Sequence, residues 1–204
     1  IFKKSKALFD SLHDFTYSAL LQASIGETYL MLNQSDSALA NCQSAYENAV
    51  KLNEKGWLKH AILLSLGKIQ DKNDSVDLAL AYFRQSLAEA ADAGAFFASY
   101  FSIAQLFQKV NKQDSCIYYA KKSLEIVQGK GFYSSTIDAA MLLSTVYEKR
   151  DLQKSLQYSK LGIAFKDSLY NLGKITSLEN FFAFDEQERK YEIETAKAAY
   201  RSQV

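Results

Sequence analysis

Two histidines, two cysteines and one Gly-Lys-Gly turn are the residues of this chain whose chemistry invites a reaction. His13 stands beside Asp14 and His60 follows Trp57, but neither has a second histidine at the spacing of a helical metal site. His13 reads as a solvated helix position, and His60 as a residue at the edge of a structural unit. "QGKG" at 128–131 lacks the Gly-x-x-x-x-Gly-Lys-Ser/Thr spacing that cradles phosphate and reads as the end of a helix. No serine sits in a Gly-x-Ser-x-Gly turn, and Asp185 with Glu186 fall in a charge-rich helical stretch that reads as solvated. No catalytic residue, metal site or cofactor is therefore expected. This region is not expected to be an enzyme, and a kinase domain outside it is left open.

What remains is binding, and composition narrows the partner. Lys plus Arg number 24 against 23 Asp plus Glu, so no strong field draws nucleic acid or an anionic surface to this region. No run of 18 apolar residues occurs, and charges interrupt the first twenty positions where a signal peptide needs an apolar core. No membrane span is expected here. The chain begins with Ile1 inside what reads as a helix, so a piece of a longer protein is expected.

The elements that position a binding surface are helices. Proline is absent and glycine occurs only eight times, leaving little vocabulary for β-turns, so an all-α chain is expected. Self-similarity organises it. Gly26, Gly67, Ala104 and Ser144 fall into register, each preceded by an aliphatic residue: Ile25, Leu66, Ile103 and Leu143. Three residues later stand Tyr29, Gln70, Phe107 and Tyr147. A second set of narrow positions follows at Ala38, Ala79, Cys116 and Ser155, and a third, seven residues on, at Ala45, Ser86, Ser123 and Gly162. Each unit is thus a pair of helices whose small residues let a partner backbone approach to about 8–10 Å. Asp36, Asp77 and Asp114 are expected to cap the second helices, and Gly56, Gly94 and Gly129 to end units in the left-handed conformation. Cys42 and Cys116 lie two units apart, on the order of 20 Å, and should be buried free thiols.

This pattern resembles the tetratricopeptide repeat family, with "IGETY" at 25–29 matching the first half of its signature and "ALAYF" at 79–83 the second. The family's tryptophan position holds Gln22, Leu63, Tyr100 and Ala140, its closing proline is missing, and the copies are 41, 37 and 40 residues apart, above the usual 34 or so. The resemblance implies an α-solenoid of antiparallel helix pairs, a superhelix with an extra C-terminal helix. A partial repeat over 1–18 leads four pairs near 19–56, 57–94, 95–131 and 132–172, all within an array at 1–172, and a capping or signalling helix occupies 173–204.

The passage from "KDSLYN" into "ITSLENFFAFDEQERKYEIETAK" is similar to the end of the repeat array in Bacteroidetes sensor proteins. There a membrane span and then a histidine kinase or helix-turn-helix domain follow. The resemblance implies the sensory region of a membrane-bound two-component or transcriptional regulator, on the periplasmic side of an inner membrane. Alternatives are an assembly scaffold without signalling output and a cytoplasmic peptide-responsive regulator.

In the family the first helices line a concave groove, at positions three before and one after the small residue and one turn further on. Carried over, these are Ala23, Glu27 and Leu30; Leu64, Lys68 and Asp71; Phe101, Gln105 and Gln108; Met141, Thr145 and Glu148. Such a groove has a mainly apolar floor and lacks the lysine and asparagine clamp that holds a terminal carboxylate. An amphipathic helix or an extended peptide segment is the expected partner, with Leu64, Phe101 and Met141 as apolar anchors and Glu27 and Lys68 setting orientation. Phe181, Phe182 and Phe184 are expected to cap the open end of the stack or to join a homodimer through the C-terminal helix.

Overall fold

The computed structural model describes residues 15–52 and 56–201. Among them are eight helices and no strand: α1 Phe15–Met31, α2 Ser35–Lys51, α3 Trp57–Lys72, α4 Val76–Glu89, α5 Ala93–Lys109, α6 Gln113–Val127, α7 Tyr133–Tyr147 and α8 Leu152–Arg201. They pack as successive antiparallel pairs, each second helix also touching the first helix of the next pair. First helices of neighbouring pairs touch one another, α1 with α3, α3 with α5 and α5 with α7, whereas second helices of neighbouring pairs do not. The stack is therefore more closely spaced along its first helices, which lie inside the curve.

Close approach is what the small residues supply. A Cβ on Gly26 would sit 2.3 Å from Cys42 Sγ, and one on Gly67 2.4 Å from the ring of Phe83. In the fourth pair hydroxyls tie the contact instead: Ser144 Oγ donates to the Ser155 carbonyl at 3.0 Å, and Ser155 Oγ to the Ser144 carbonyl at 2.9 Å. Gly26, Gly67, Ala104, Ala38, Ala79, Cys116, Ala45, Ser86, Ser123 and Gly162 are all buried.

The turns within the first three pairs share one device. Asn33, Asp74 and Asn111, each seven residues beyond the small position, have φ of +59°, +58° and +58°. Asn and Asp tolerate this left-handed conformation better than other L-residues, so they reverse the chain without glycine.

Two expectations about helix ends are corrected. Asp36, Asp77 and Asp114 lie inside the first turns, while the cap positions Gln34, Ser75 and Lys112 make no side-chain cap bond. The aspartates stand two residues past the cap position, where they act through the helix dipole. Gly94 lies within α5, whose cap is Asp92, accepting from the Ala95 amide at 2.9 Å. Gly56, Gly129 and Gly131 do take positive φ, at +74°, +77° and +82°.

Two apolar clusters run through the stack. One joins α1, α2 and α3 through residues such as Ala23, Cys42, Leu58 and Ile62. The other extends from Leu64 and Phe83 through Ile103, Phe107 and Leu124 to Leu143 and Tyr147. α3 contributes to both, so the second pair is where the halves join. The segment expected from 173 onward continues α8 without a break, making a helix of 50 residues, about 75 Å long.

Candidate binding surface

Three positions per pair were expected to face the groove, and the structure divides them. The register three before the small residue is mostly closed. Ala23 and Leu64 are buried, Phe101 is half-buried and stacked on Phe97 at 5.2 Å, and Met141 is exposed. The following pair covers this register in the first three copies, because neighbouring first helices touch; Met141 has no described pair after it. Ala23 and Leu64 thus belong to the core, which corrects their placement in the groove.

The register one after the small residue stays open. Lys68, Gln105 and Thr145 are exposed in line along the inner side, one per pair. Glu27 is half-buried and accepts a 2.6 Å bond from Ser65 Oγ, which fastens it to the second pair. Gln108 and Glu148 are exposed, while Leu30 and Asp71 are half-buried. Apart from Met141, the exposed positions that remain are polar, against the mainly apolar floor expected.

Leu30 and Asp71 are engaged by a feature the motif reading passed over. Lys72 donates to the Leu30 carbonyl at 2.9 Å and to Asn33 Oδ1. Lys109 does the same one unit on, donating to the Asp71 carbonyl and pairing with Asp71 at 3.0 Å and Asp74 at 2.7 Å. Each lysine stands five residues beyond its small position and reaches the C-terminal end of the previous first helix, where carbonyls lack intrahelical partners and the dipole is negative. The Asp74 and Asp71 carboxylates hold the Lys109 ammonium above the usual lysine range. The recurrence of Lys72 and Lys109 at one register was the signal available in the sequence. In the fourth pair Arg150 bonds Asp114 at 2.7 Å instead. Lys109→Met is expected to lower stability by less than about 1 kcal/mol, since the pair is exposed, and to make urea unfolding less sensitive to salt.

The candidates for chemistry resolve into structure. His60 is buried, and its Nδ1 lies 3.0 Å from both the Ser86 carbonyl and Ser86 Oγ, which in turn is 2.9 Å from Ser99 Oγ. This chain of bonds links α3, α4 and α5 and corrects the reading of His60 as an edge residue. His13 lies outside the described residues. Cys42 and Cys116 are buried free thiols, and burial pushes them up to about 12 and about 11; the Glu27 charge adds to the shift at Cys42. Among the described residues no group of three His, Cys, Asp or Glu could hold a metal, and no helix is long and apolar enough to cross a membrane. The side chains of Phe181 and Phe182 are outside the described residues, and Phe184 is exposed.

Helix pairs stacked through small residues, curved with first helices inside, define an α-solenoid of tetratricopeptide-like architecture. Solved structures share this fold at low identity. BtubC (BKLC) from P. vanneervenii superposes with a TM-score of 0.69 at 14% identity, over 83% of this chain and 74% of that one. MamA superposes at 0.60 with 15% identity over 83% of this chain and 89% of that one, and a second MamA structure at 0.57 with 14% identity over 84% and 93%. No family profile matches the chain, and no curated protein matches it in sequence.

Proposed function

We propose that the inner face of this solenoid binds an extended segment of a partner protein. The observation that supports the reading is the open row Lys68, Gln105 and Thr145, one side chain per pair, flanked by Gln108 and Glu148. Neighbouring helices lie about 10 Å apart, and an extended chain advances about 3.3 Å per residue, so each pair meets every third residue of such a segment. Gln105 and Gln108 carry both a donor and an acceptor and can bond a peptide main chain, while Lys68 suits an acidic side chain. An apolar helix face would find few anchors here, because Ala23 and Leu64 are already buried. The chemistry is recognition without catalysis.

The sensory role implied by the "KDSLYN" passage is the finer version of this proposal. An uninterrupted α8 supports it, since a rigid helix transmits displacement from the array. A scaffold without signalling output uses the same face.

The test is selection of peptides from a random library on the folded chain, with affinities measured by calorimetry. Lys68→Glu combined with Gln105→Ala is expected to weaken selected peptides at least about tenfold with helicity unchanged. Affinities unchanged by that double variant would overturn the reading.

A further inference from the structure

The third junction between pairs lacks a bond that closes the first two. Leu30, Asp71 and Gln108 share one register, four residues beyond the small position, and each carbonyl accepts from the amide three residues on, at 3.1, 3.1 and 3.0 Å. At the first two junctions the same carbonyl also accepts from an ammonium of the next pair, Lys72 on Leu30 and Lys109 on Asp71, with an Asn33 or Asp74 oxygen as a further partner. The fourth pair carries Lys149 at the register of these lysines. Among the described residues, however, no ammonium reaches the Gln108 carbonyl, and Lys149 makes no hydrogen bond or ion pair through its side chain. Helix length is the cause. α3 and α5 end on their lysines, whereas α7 ends at Tyr147, whose carbonyl accepts the Arg150 and Asp151 amides in a tighter turn. Lys149 thus leaves the helical register that aims Lys72 and Lys109, and Arg150 goes to Asp114. A cavity of about 300 Å³ is left where the end of α5 and the start of α6 meet α7, with Gln108, Asn111, Thr145, Glu148 and Lys149 in its wall.

Resting on the inner-face binding proposed above, we infer that this cavity takes a basic side chain of the partner segment, a lysine or arginine whose head group sits on the Gln108 carbonyl as Lys72 and Lys109 sit on theirs. Two junctions of the same chain show which group these oxygens hold. The first does so with neutral acceptors alone, the Leu30 carbonyl and Asn33 Oδ1. Gln108 and Asn111 offer that set with one side-chain amide oxygen more. Glu148 and Lys149 offset one another on the wall, so the negative end of the α5 dipole decides the sign and favours a cation. A carboxylate has no proton to give the Gln108 carbonyl. Gln108, Thr145 and Glu148 belong both to this wall and to the exposed row, so a segment lying along that row passes over the cavity.

Two probes test this. n-Butylammonium, a lysine head group without a peptide, is expected to shift the side-chain amide resonances of Gln108 and Asn111 at millimolar concentration, and n-butanol is not. Among peptides selected on the folded chain a lysine or arginine should recur at one position, and its replacement by norleucine should weaken binding about tenfold, the worth of a charge-assisted hydrogen bond. Asn111→Gly keeps the positive φ but loses the oxygen, and should cut that difference to about threefold or less. Gln108→Asp with Asn111→Asp recreates the acceptors of the second junction and should enlarge it about tenfold. No shift with n-butylammonium, or selected peptides without a recurring base, would overturn the inference and leave inner-face binding in place. A salt-dependent loss of stability in Lys149→Met, as expected of Lys109→Met, would also overturn it, because the chain's own lysine would then fill the cavity.

Discussion

Phe83→Ala is expected to cost about 3–5 kcal/mol, the range for removing a fully enclosed aromatic ring. Phe83 is 1% exposed, and its ring fills the space that Gly67 leaves open. It also belongs to the second pair, where the two apolar clusters meet. A solenoid's stability is close to a sum of repeat and neighbour terms, so weakening an interior pair uncouples what lies on either side. Urea unfolding should therefore lose its midpoint and also its single sharp transition. The contact can be isolated by a second substitution. Gly67→Ala alone meets the Phe83 ring, yet in the Phe83→Ala background the ring is gone and the helix gains from alanine, by up to about 1 kcal/mol. The two changes should thus be strongly non-additive. Additive costs, or a single sharp transition in Phe83→Ala, would show that the Gly67 gap is not what seats this ring.

The register of the fold is written in the small residues, because a helix contact at close range admits no substitute for small side chains. Gly26, Ala38, Ala45 and their equivalents could be aligned from spacing alone, and all but the half-buried Ser144 are buried where two helices meet. The proposed binding face was legible only in part. Carrying over family positions placed Ala23 and Leu64 in the groove, but which face of a first helix stays open depends on how tightly neighbouring first helices approach, a property of the curvature and not of any one copy. Lys68, Gln105 and Thr145 remain exposed, one per pair, on the side that the following pair leaves open. The lysine links were hidden for another reason. Lys72 and Lys109 bond main-chain carbonyls at Leu30 and Asp71, and a carbonyl leaves no trace in residue type. Gly94 misled because a glycine near a boundary serves equally well inside a first turn when Asp92 does the capping.

Raising the pH should unfold this protein earlier than its surface charges alone would. The Cys42 thiol is pushed up to about 12 and the Cys116 thiol to about 11, in both cases chiefly because burial disfavours the thiolate. In the unfolded chain a thiol ionises near pH 8.5–9, so above about pH 9 the unfolded state releases protons that the folded state retains. Proton release by the unfolded state lowers stability as pH rises. The contribution is complete below pH 9 and is lost at about 1.4 kcal/mol per pH unit for each thiol, until pH 11 for Cys116 and pH 12 for Cys42. Two thiols together remove about 5 kcal/mol by pH 11, comparable with the whole stability of many domains. Tyrosines and lysines also titrate in this window, so the informative quantity is a difference of slopes. Stability from urea unfolding between pH 8 and 11 should fall more steeply for the natural chain than for the Cys42→Ala, Cys116→Ala double variant, whatever constant offset the lost side chains introduce. At pH 8 the same protonated, enclosed thiols should react with a disulfide reagent only as fast as the chain opens. Equal slopes in the two proteins, together with prompt labelling of the folded chain, would mean that the helix contacts enclosing Cys42 and Cys116 are open to water, and that the close approach of helices at Gly26 and at Cys116 is absent.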